Sequence, residues 1–272
     1  MKKVLGLVLA LSCLPLLPIL GQTWHQVEPG LEVGSFSAPI KSNLGKSTIW
    51  VVRVDPGRFE FRLLCASQYG QRKRTAAEWC EEFGLVGAVN ASMFAADGLT
   101  STGLLVADGH VNNGKINPSF GAVLMFHPRR PDLPAVQMVD RHCQDFSALR
   151  PLYSSMVQNY RLITCDGRPA WAQSERIFSQ VAVGTDARGR VLLLFTRSPY
   201  SGHNFARNLL QLPLQLKRAM YCEGGPEASV YLKAGDYELR LTGSYETGFT
   251  EHDSNQQFWP IPNVLGFARR ND

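Results

Sequence analysis

The chain has 272 residues, of which 44% are apolar and 10% are aromatic. This composition is sufficient for a large hydrophobic core and excludes extensive disorder. The net charge is +5, of which Lys2 and Lys3 supply two units. That charge is too small and too dispersed to predict a nucleic-acid-binding protein.

The first 21 residues have the pattern of a secretory signal peptide. After the two lysines, an almost unbroken apolar run covers residues 4–20, as is typical of such signals. We expect cleavage near Gly21 or Gln22 rather than lipid attachment at Cys13; retention of the segment as a membrane anchor is the alternative. The protein is therefore predicted to be exported, periplasmic or secreted, with residues 22–272 as a single domain. Any membrane attachment would be through the N-terminus only.

Five cysteines follow this segment: Cys65, Cys80, Cys143, Cys165 and Cys222. An oxidising compartment would allow up to two disulfides and leave one thiol. The spacing does not select the pairs, and a fully reduced set of thiols is the alternative. No C-x-x-C or histidine-rich spacing suggests zinc, so we predict neither a metal nor another cofactor.

The first predicted element is a hairpin. Residues 48–54 are β-branched and aromatic, residues 55–57 (DPG) have the composition of a turn, and residues 59–63 alternate apolar with charged side chains. A helix with a capping box is predicted over residues 75–84. Residues 85–89 then read as a short buried strand.

Further hairpins and strands are predicted downstream. Residues 103–109 begin another hairpin, residues 121–126 form a strand, and residues 143–158 are compatible with a helix that precedes a strand at 161–165. The clearest hairpin covers residues 181–195, with its turn at 186–189 (DARG).

The last predicted helix and strands complete the fold class. Phe205, Leu209, Leu212 and Leu216 share one helical face, although Pro213 must kink or divide that helix. Strands are predicted at 219–222 and 229–232. We therefore predict an α+β fold with a large mixed, mostly hairpin-connected β-sheet and a few flanking helices.

Polar residues at the ends of buried strands are the candidates for chemistry. Asn90 follows the strand 85–89 and precedes Ser92 and Phe94. Its amide could bind a sugar hydroxyl or a phosphate oxygen. The alternative is an asparagine that satisfies backbone groups in a turn.

Glu223 is the more informative candidate. It follows the apolar stretch 219–222 and precedes Gly224 and Gly225, which let backbone N–H groups approach a ligand closely. Burial near a sheet interior would raise the pKa of its carboxyl group and suit a general acid. Glu227 supplies a second carboxylate. The alternative is an ordinary glycine turn with two solvated acids.

At these residues the chain resembles the phosphodiester glycosidase family. Residues 90–94 (NASMF) are similar to an early Asn-Gly-Gly-Phe-Phe type motif, and residues 162–167 and 182–189 to its middle segments. Residues 223–229 (EGGPEAS) are similar to the late Asp-Gly-Gly-Gly-Ser-Ser motif. The resemblance extends over residues 48–267. Glu223 replaces the aspartate of the late motif, and Pro226 replaces its third glycine.

The resemblance implies hydrolysis of a sugar joined through its anomeric carbon to a phosphodiester, with a carbohydrate or glycosyl phosphate as ligand. It implies Glu223 as the chief carboxylate, acting as nucleophile or base, with Glu227 and Asn90 as further catalytic candidates. The implied substrate-binding residues are Ser92, Phe94, Asp166, His203, Gly224, Gly225 and Ser229. The departures in the late motif leave a second interpretation open: an exported, non-catalytic domain that binds an envelope glycan or glycosyl phosphate.

Overall fold

A computed structural model describes residues 22–270, which fold mainly into β-strands. The strands are β1 (Gln22–Glu28), β2 (Leu31–Ser37), β3 (Thr48–Val54), β4 (Phe59–Cys65), β5 (Gly87–Asn90), β6 (Leu105–Ala107), β7 (His110–Asn113), β8 (Ala122–Pro128), β9 (Val136–Asp140), β10 (Tyr153–Asn159), β11 (Arg161–Ile163), β12 (Phe178–Asp186), β13 (Val191–Tyr200), β14 (Leu216–Gly224), β15 (Ser229–Ala234), β16 (Tyr237–Thr242) and β17 (Asn263–Arg269). The helices are α1 (Ala76–Phe83), α2 (Phe146–Leu149) and α3 (Gly202–Gln211), with short 3-10 turns at Arg150–Leu152 and Gly225–Glu227.

The predicted signal peptide, residues 1–21, lies outside the described residues. Within residues 22–270, no helix combines the length and the apolar character needed to cross a membrane.

The strands form three sheets rather than the single mixed sheet predicted. A seven-stranded sheet has the order β1-β2-β3-β13-β12-β14-β11, and two five-stranded sheets have the orders β7-β6-β10-β8-β9 and β16-β15-β5-β17-β4. Each pairing between named strands of the described chain is antiparallel. The prediction of many strands with few helices is confirmed. The predicted mixed sheet is wrong, because a mixed sheet needs parallel pairs and the named strands of the described chain form antiparallel pairs.

One hydrophobic core joins the three sheets. Its buried side chains include Val183 of the seven-stranded sheet, Leu124 of the β8 sheet and Leu265 of the β17 sheet. Burial of each such side chain stabilises the fold by about 1.5–3 kcal/mol. The sheets therefore share a common interior, and the strand ends at its edge are held on a rigid scaffold.

The first predicted hairpin is wrong in its pairing, although both of its strands exist. β3 pairs with β2 and β13, whereas β4 pairs with β17 in a different sheet. The turn at residues 55–57 therefore passes the chain from one sheet to another. Its composition predicted a change of direction but contained no information on which strands would become neighbours.

The capping box of α1 is confirmed. Thr75 Oγ1 accepts a hydrogen bond from the Glu78 N–H, the Glu78 carboxylate accepts one from the Thr75 N–H, and Gly84 ends the helix with φ +62°. The helix predicted over residues 143–158 is largely wrong. Only α2 and one 3-10 turn are helical there, and residues 153–159 form β10, which pairs with β8 and β6.

The observed helix α3 is shorter than the span predicted from the spacing of Phe205, Leu209, Leu212 and Leu216. Ser201 caps the start of α3 through a hydrogen bond to the Asn204 N–H, and α3 ends at Gln211, two residues before Pro213. Leu216 belongs to β14 instead. Proline has no N–H and clashes with the preceding turn, so it divides the segment as expected.

A disulfide joins Cys143 and Cys165, whose Cα atoms lie 6.6 Å apart. Cys65, Cys80 and Cys222 are buried free thiols. The bond connects the segment after β9 to the loop between β11 and β12. That loop borders a cleft at the ends of β12 and β14.

Candidate functional site

A cleft of about 650 Å³ lies at the ends of β12 and β14, beneath the loop of residues 164–177. Strand ends supply Phe178, Tyr221 and Glu223, and the loop supplies Trp171 and Arg176. The remaining lining residues are Met93, Tyr160, Ala170, Ala172, Ser174, Gly202 and Glu246. A largely apolar cavity with a few convergent polar groups is typical of a small-molecule site.

Three aromatic rings form one wall of this cleft. Trp171 lies 5.4 Å from Tyr221 and 6.4 Å from Phe178 between ring centroids, and Phe178 lies 5.8 Å from Tyr221. The Trp171 indole N–H donates to the Arg161 carbonyl at 2.6 Å, which fixes the ring. The apolar C–H face of a sugar packs well on such rings.

Gly202 and His203 both contact Trp171 of the aromatic wall. A Cβ at Gly202 would overlap the indole ring of Trp171, so only glycine permits this close packing. The Nδ1 atom of His203 lies 2.8 Å from the Trp171 carbonyl oxygen, within hydrogen-bond distance. His203 therefore positions the wall rather than lining the cleft.

Glu223 brings a carboxyl group with a strongly raised pKa into the cleft. Burial and, to a smaller extent, the nearby charges of Glu227 and Glu246 raise the pKa of Glu223 to about 8; a hydrogen bond from the Gly224 N–H, at 3.1 Å, opposes the increase. A carboxyl group with this pKa is mostly protonated at pH 7. It can therefore donate a proton or a hydrogen bond at neutral pH.

Glu246 is the second carboxylate that lines the cleft. Burial raises its pKa, and Arg176 counteracts the increase through an ion pair at 3.4 Å. Glu227 does not line the cleft. Burial and the charge of Glu246 also raise the pKa of Glu227, while the ammonium group of Lys73 lowers it. The three acids form one electrostatically coupled group, of which Glu223 and Glu246 face the cavity.

The two glycines of the late motif let the backbone pass close to these acids. Gly225 has φ +63°, and a Cβ at this position would lie 2.5 Å from Glu246 Oε2. A Cβ at Gly224 would lie 2.5 Å from the Tyr221 hydroxyl oxygen. A Cβ at either position would require a neighbouring side chain to shift, and Gly225 also has a backbone conformation that favours glycine.

Asn90 and Ser229 are hydrogen-bonded to each other and do not line the cleft. The Asn90 amide N–H donates to the Glu227 carbonyl at 3.0 Å, and the Asn90 amide oxygen accepts from the Ser229 N–H at 2.8 Å. The Asn90 amide therefore holds the turn after Gly225 in place, which matches the backbone-satisfying alternative for this residue. Ser92 is buried nearby, and its hydroxyl has no hydrogen-bond partner among the described residues.

Two further predicted binding residues, Asp166 and Phe94, do not line the cleft. Asp166 lies exposed in the turn after β11, where Thr164 donates to its carboxylate and Arg168 forms an ion pair with it. Phe94 forms an isolated bridge with Ser101 and does not line the cavity, whereas its neighbour Met93 does.

Sequence reasoning missed Trp171, Arg176 and Glu246. All three lie outside the strands, in segments that carry no motif, and only the folded chain brings them together. Tyr221 could have been singled out, since it lies two residues before Glu223 and the side chains of alternate strand residues share a face.

A second cleft, of about 600 Å³, includes Trp50 and Arg197 in its lining. Arg197 donates to the main-chain oxygens of Thr242, Asp253 and Asn255 and forms an ion pair with the Asp253 carboxylate. Its guanidinium group is thus occupied by structural contacts. None of the predicted site residues lines this second cleft, so the cleft at Glu223 is the candidate functional site.

Comparisons with solved structures show the fold. The catalytic domain of zebrafish N-acetylglucosamine-1-phosphodiester α-N-acetylglucosaminidase, in a form auto-inhibited by its pro-peptide, is similar with a TM-score of 0.62 and 14% identity over 92% of this chain and 89% of that one. A hypothetical protein from Synechocystis is similar with a TM-score of 0.60 and 13% identity over 93% of this chain and 64% of that one.

A search of curated protein sequences found no significant match to this chain. A family model described as phosphodiester glycosidase matches residues 83–268. That range is well over half of the chain and contains the cleft carboxylates, the glycine pair and the aromatic wall. This chain therefore belongs to the phosphodiester glycosidase family.

Proposed function

We propose that this protein hydrolyses a glycosyl-1-phosphodiester and releases a free sugar and a phosphomonoester. The observation that carries the proposal is Glu223, a carboxyl group with a pKa of about 8 in an aromatic-walled cleft that also contains Glu246 and Arg176. Membership of the phosphodiester glycosidase family supports the same reaction class.

The raised pKa values suit an anionic substrate. Two ionised carboxylates would repel a phosphodiester, whereas a protonated Glu223 removes one of those charges. The guanidinium group of Arg176 is largely exposed at the rim and retains free N–H donors for a phosphate oxygen. Trp171 offers its ring to the sugar.

The two cleft acids have different roles in this reaction. Glu223 donates its proton to the phosphate oxygen that leaves as the bond to the anomeric carbon breaks. Glu246 stabilises the positive charge that develops on the sugar and accepts a proton from the attacking water. Water supplies the new hydroxyl group at the anomeric carbon, and the phosphomonoester departs. In this scheme Glu223 is an acid rather than the nucleophile or base that the family resemblance implied.

A non-catalytic glycan-binding protein is the second candidate. Glu223 stands where the family motif has aspartate, and one additional methylene can displace a carboxylate by more than about 1 Å, enough to reduce catalysis severely. In this alternative the aromatic wall and Arg176 bind a glycosyl phosphate without cleaving it.

A hydrolysis assay separates the two candidates. Purified protein is incubated with a panel of glycosyl phosphodiesters, including nucleotide sugars and sugar-phospho-sugars, and the free reducing sugar is measured. We expect turnover of at least one member and a fall of about tenfold or more in kcat/KM for Arg176→Ala, since a phosphate-binding cation is removed.

Asp236→Asn is the control, because Asp236 is an exposed charged residue that does not line the cleft. Its kcat/KM should equal that of the wild type. Binding of a panel member without release of sugar would favour the glycan-binding protein, and neither binding nor hydrolysis would exclude both candidates.

We also propose export directed by residues 1–21. The sequence pattern of that segment and the Cys143–Cys165 disulfide support an oxidising compartment. Expressed with its full N-terminus in a bacterial host, the protein should be found outside the cytoplasm, shortened by about 20 residues or attached to the membrane. Fractionation followed by mass spectrometry tests this. Full-length soluble protein in the cytoplasm would contradict it.

A further inference from the structure

A serine, a histidine and a glutamate that are distant in sequence meet at one place outside the cleft. Ser155 lies on β10, His127 on β8 and Glu60 on β4. The Ser155 hydroxyl oxygen lies 2.9 Å from His127 Nδ1, and His127 Nε2 lies 3.7 Å from Glu60 Oε1. A hydroxyl, an imidazole and a carboxylate in this order are the arrangement that turns a serine into a nucleophile.

The hydrogen bonds around Ser155 direct its proton toward His127. The Asp108 N–H donates to Ser155 Oγ at 3.1 Å, so the hydroxyl hydrogen is left for another acceptor. His127 Nδ1 is that acceptor when the ring carries its own proton on Nε2. The Nε2 atom is buried without a hydrogen-bond partner in the described chain, and the Glu60 carboxylate faces it. That separation exceeds a hydrogen bond, but such contacts often shorten only when substrate is bound.

His127 has an uncommon backbone conformation. Its φ is +55°, in the left-handed region, although it lies within β8. Residues other than glycine rarely adopt this region, and those that do cluster at functional sites. β8 pairs with β10 on one side and with β9 on the other. The histidine ring is therefore presented to Ser155 by a rigid part of the sheet.

All three side chains line a small cavity of about 210 Å³. Its other polar lining residues are Arg62, Gln68, Tyr69 and Asp108. None of its lining residues lines the cleft at Glu223. Ser155 is only 1% exposed, so bulk water has little access to its hydroxyl group. Sites for drug-sized molecules start at about 300 Å³, and this smaller cavity therefore suits a short acyl group rather than a long chain.

We propose that Ser155 is the nucleophile of a hydrolytic site separate from the cleft, with His127 as its base and an ester of a short acyl group as substrate. Ser155 Oγ attacks the carbonyl carbon while its proton passes to His127 Nδ1. The proton then goes to the departing alcohol, and the acyl group stays on Ser155. Water attacks this acyl-enzyme with His127 again as base, which releases the carboxylic acid and restores the hydroxyl group. Glu60 is a positioning residue whose carboxylate stabilises the charged ring.

Covalent labelling with methanesulfonyl fluoride, a reagent small enough for the cavity, tests the nucleophile. Ser155 Oγ forms a bond to sulfur, fluoride leaves, and peptide mass spectrometry locates the adduct. We expect an adduct on Ser155, together with hydrolysis of p-nitrophenyl acetate that is lost as the adduct forms. His127→Asn should slow labelling and hydrolysis about a hundredfold or more because the base is removed, while asparagine tolerates the left-handed backbone at this position.

Glu60→Gln tests the positioning role through the pH dependence of labelling. Labelling of the wild type should increase with pH as the His127 ring loses its proton. Without the facing carboxylate the protonated ring is less stable, so the midpoint should move to lower pH. The other titratable groups that line the cavity, Arg62, Tyr69 and Asp108, are retained in this variant. A midpoint equal to that of the wild type would overturn the role of Glu60.

Ser119→Ala is the control, since Ser119 is exposed and does not line the cavity. It should be labelled on Ser155 at the wild-type rate. An adduct that forms equally fast in His127→Asn, or labelling that leaves the acetate hydrolysis intact, would overturn the proposal. Absence of an adduct on Ser155 in the wild type would overturn it whether or not His127→Asn folds. These outcomes do not depend on hydrolysis of a glycosyl phosphodiester, because the cavity and the cleft share no lining residue.

Discussion

Replacing Glu223 by glutamine should lower turnover at least about a hundredfold, in the range expected when a proton donor is removed from an acid–base mechanism. Glutamine keeps the shape of the side chain but cannot deliver a proton to the leaving phosphate. Since the raised pKa of Glu223 is about 8, wild-type turnover should also fall as the pH rises through 8. Steady-state kinetics of both proteins between pH 5 and pH 9 measure the two effects.

The same substitution should stabilise the fold. Above pH 4.5 an unfolded Glu223 loses its proton, whereas the folded carboxyl group retains it up to a pKa of about 8. The folded state therefore binds more protons in this interval, and wild-type stability falls as the pH rises from 4.5 to 8. Glutamine has no such dependence. Relative to the wild type, the free energy of unfolding of Glu223→Gln should be little changed below pH 4.5 and higher by on the order of 3 kcal/mol at pH 7.

Urea unfolding at pH 4.5 and at pH 7 measures this gain. Glu81→Gln is the control, because Glu81 is exposed on α1, and exposed substitutions usually change the free energy of unfolding by no more than about 0.5 kcal/mol. A loss of stability in Glu223→Gln at pH 7, or turnover equal to that of the wild type, would contradict the role assigned to the buried carboxyl group.

Gly225→Ala should lower turnover about a hundredfold with only a modest loss of stability. A Cβ at this position would lie 2.5 Å from Glu246 Oε2, at the mobile end of a side chain, so the carboxylate must move. A displacement of about 1 Å at a reacting group is enough for such a loss. The backbone at φ +63° adds about 1–2 kcal/mol of destabilisation.

Gly189→Ala is the matched control for this prediction. Gly189 has φ +79° in the turn between β12 and β13, and a Cβ there would have no neighbour within 4 Å. Both variants should lose similar stability in urea, since both place alanine in the left-handed region. Only Gly225→Ala should lose turnover. Equal turnover in the two variants would exclude a catalytic position for Glu246.

The part of the site that follows a buried strand could be predicted from the sequence. Glu223, Gly224 and Gly225 follow an apolar stretch directly, and burial of the Glu223 carboxyl group raises its pKa. Asn90 also follows a buried strand, and that position made it a candidate. The sequence could not show that its amide would be hydrogen-bonded to the backbone of Glu227 and Ser229. Such contacts depend on residues far away in the chain.

The loop residues of the site could not be predicted. Trp171, Arg176 and Glu246 reach the cleft because Gly202, Ile177 and the Cys143–Cys165 bond fix their segments. The fold shows the same limit. Local composition located β3 and β4 correctly, whereas their assignment to different sheets depends on β13 and β17, which are distant in sequence.

The position of β17 has a consequence for the order in which the chain folds. This strand is the last along the described chain, yet it lies between β5 and β4, with Arg269 opposite Phe59. This sheet cannot be completed until residues near 269 have been synthesised. Until then β4 and β5 lack their shared neighbour, and their apolar faces remain exposed. Pairings between such remote residues require a large loop to close first, which slows folding and prolongs exposure to aggregation. Synthesis of β17 therefore sets the earliest point at which this sheet can be completed.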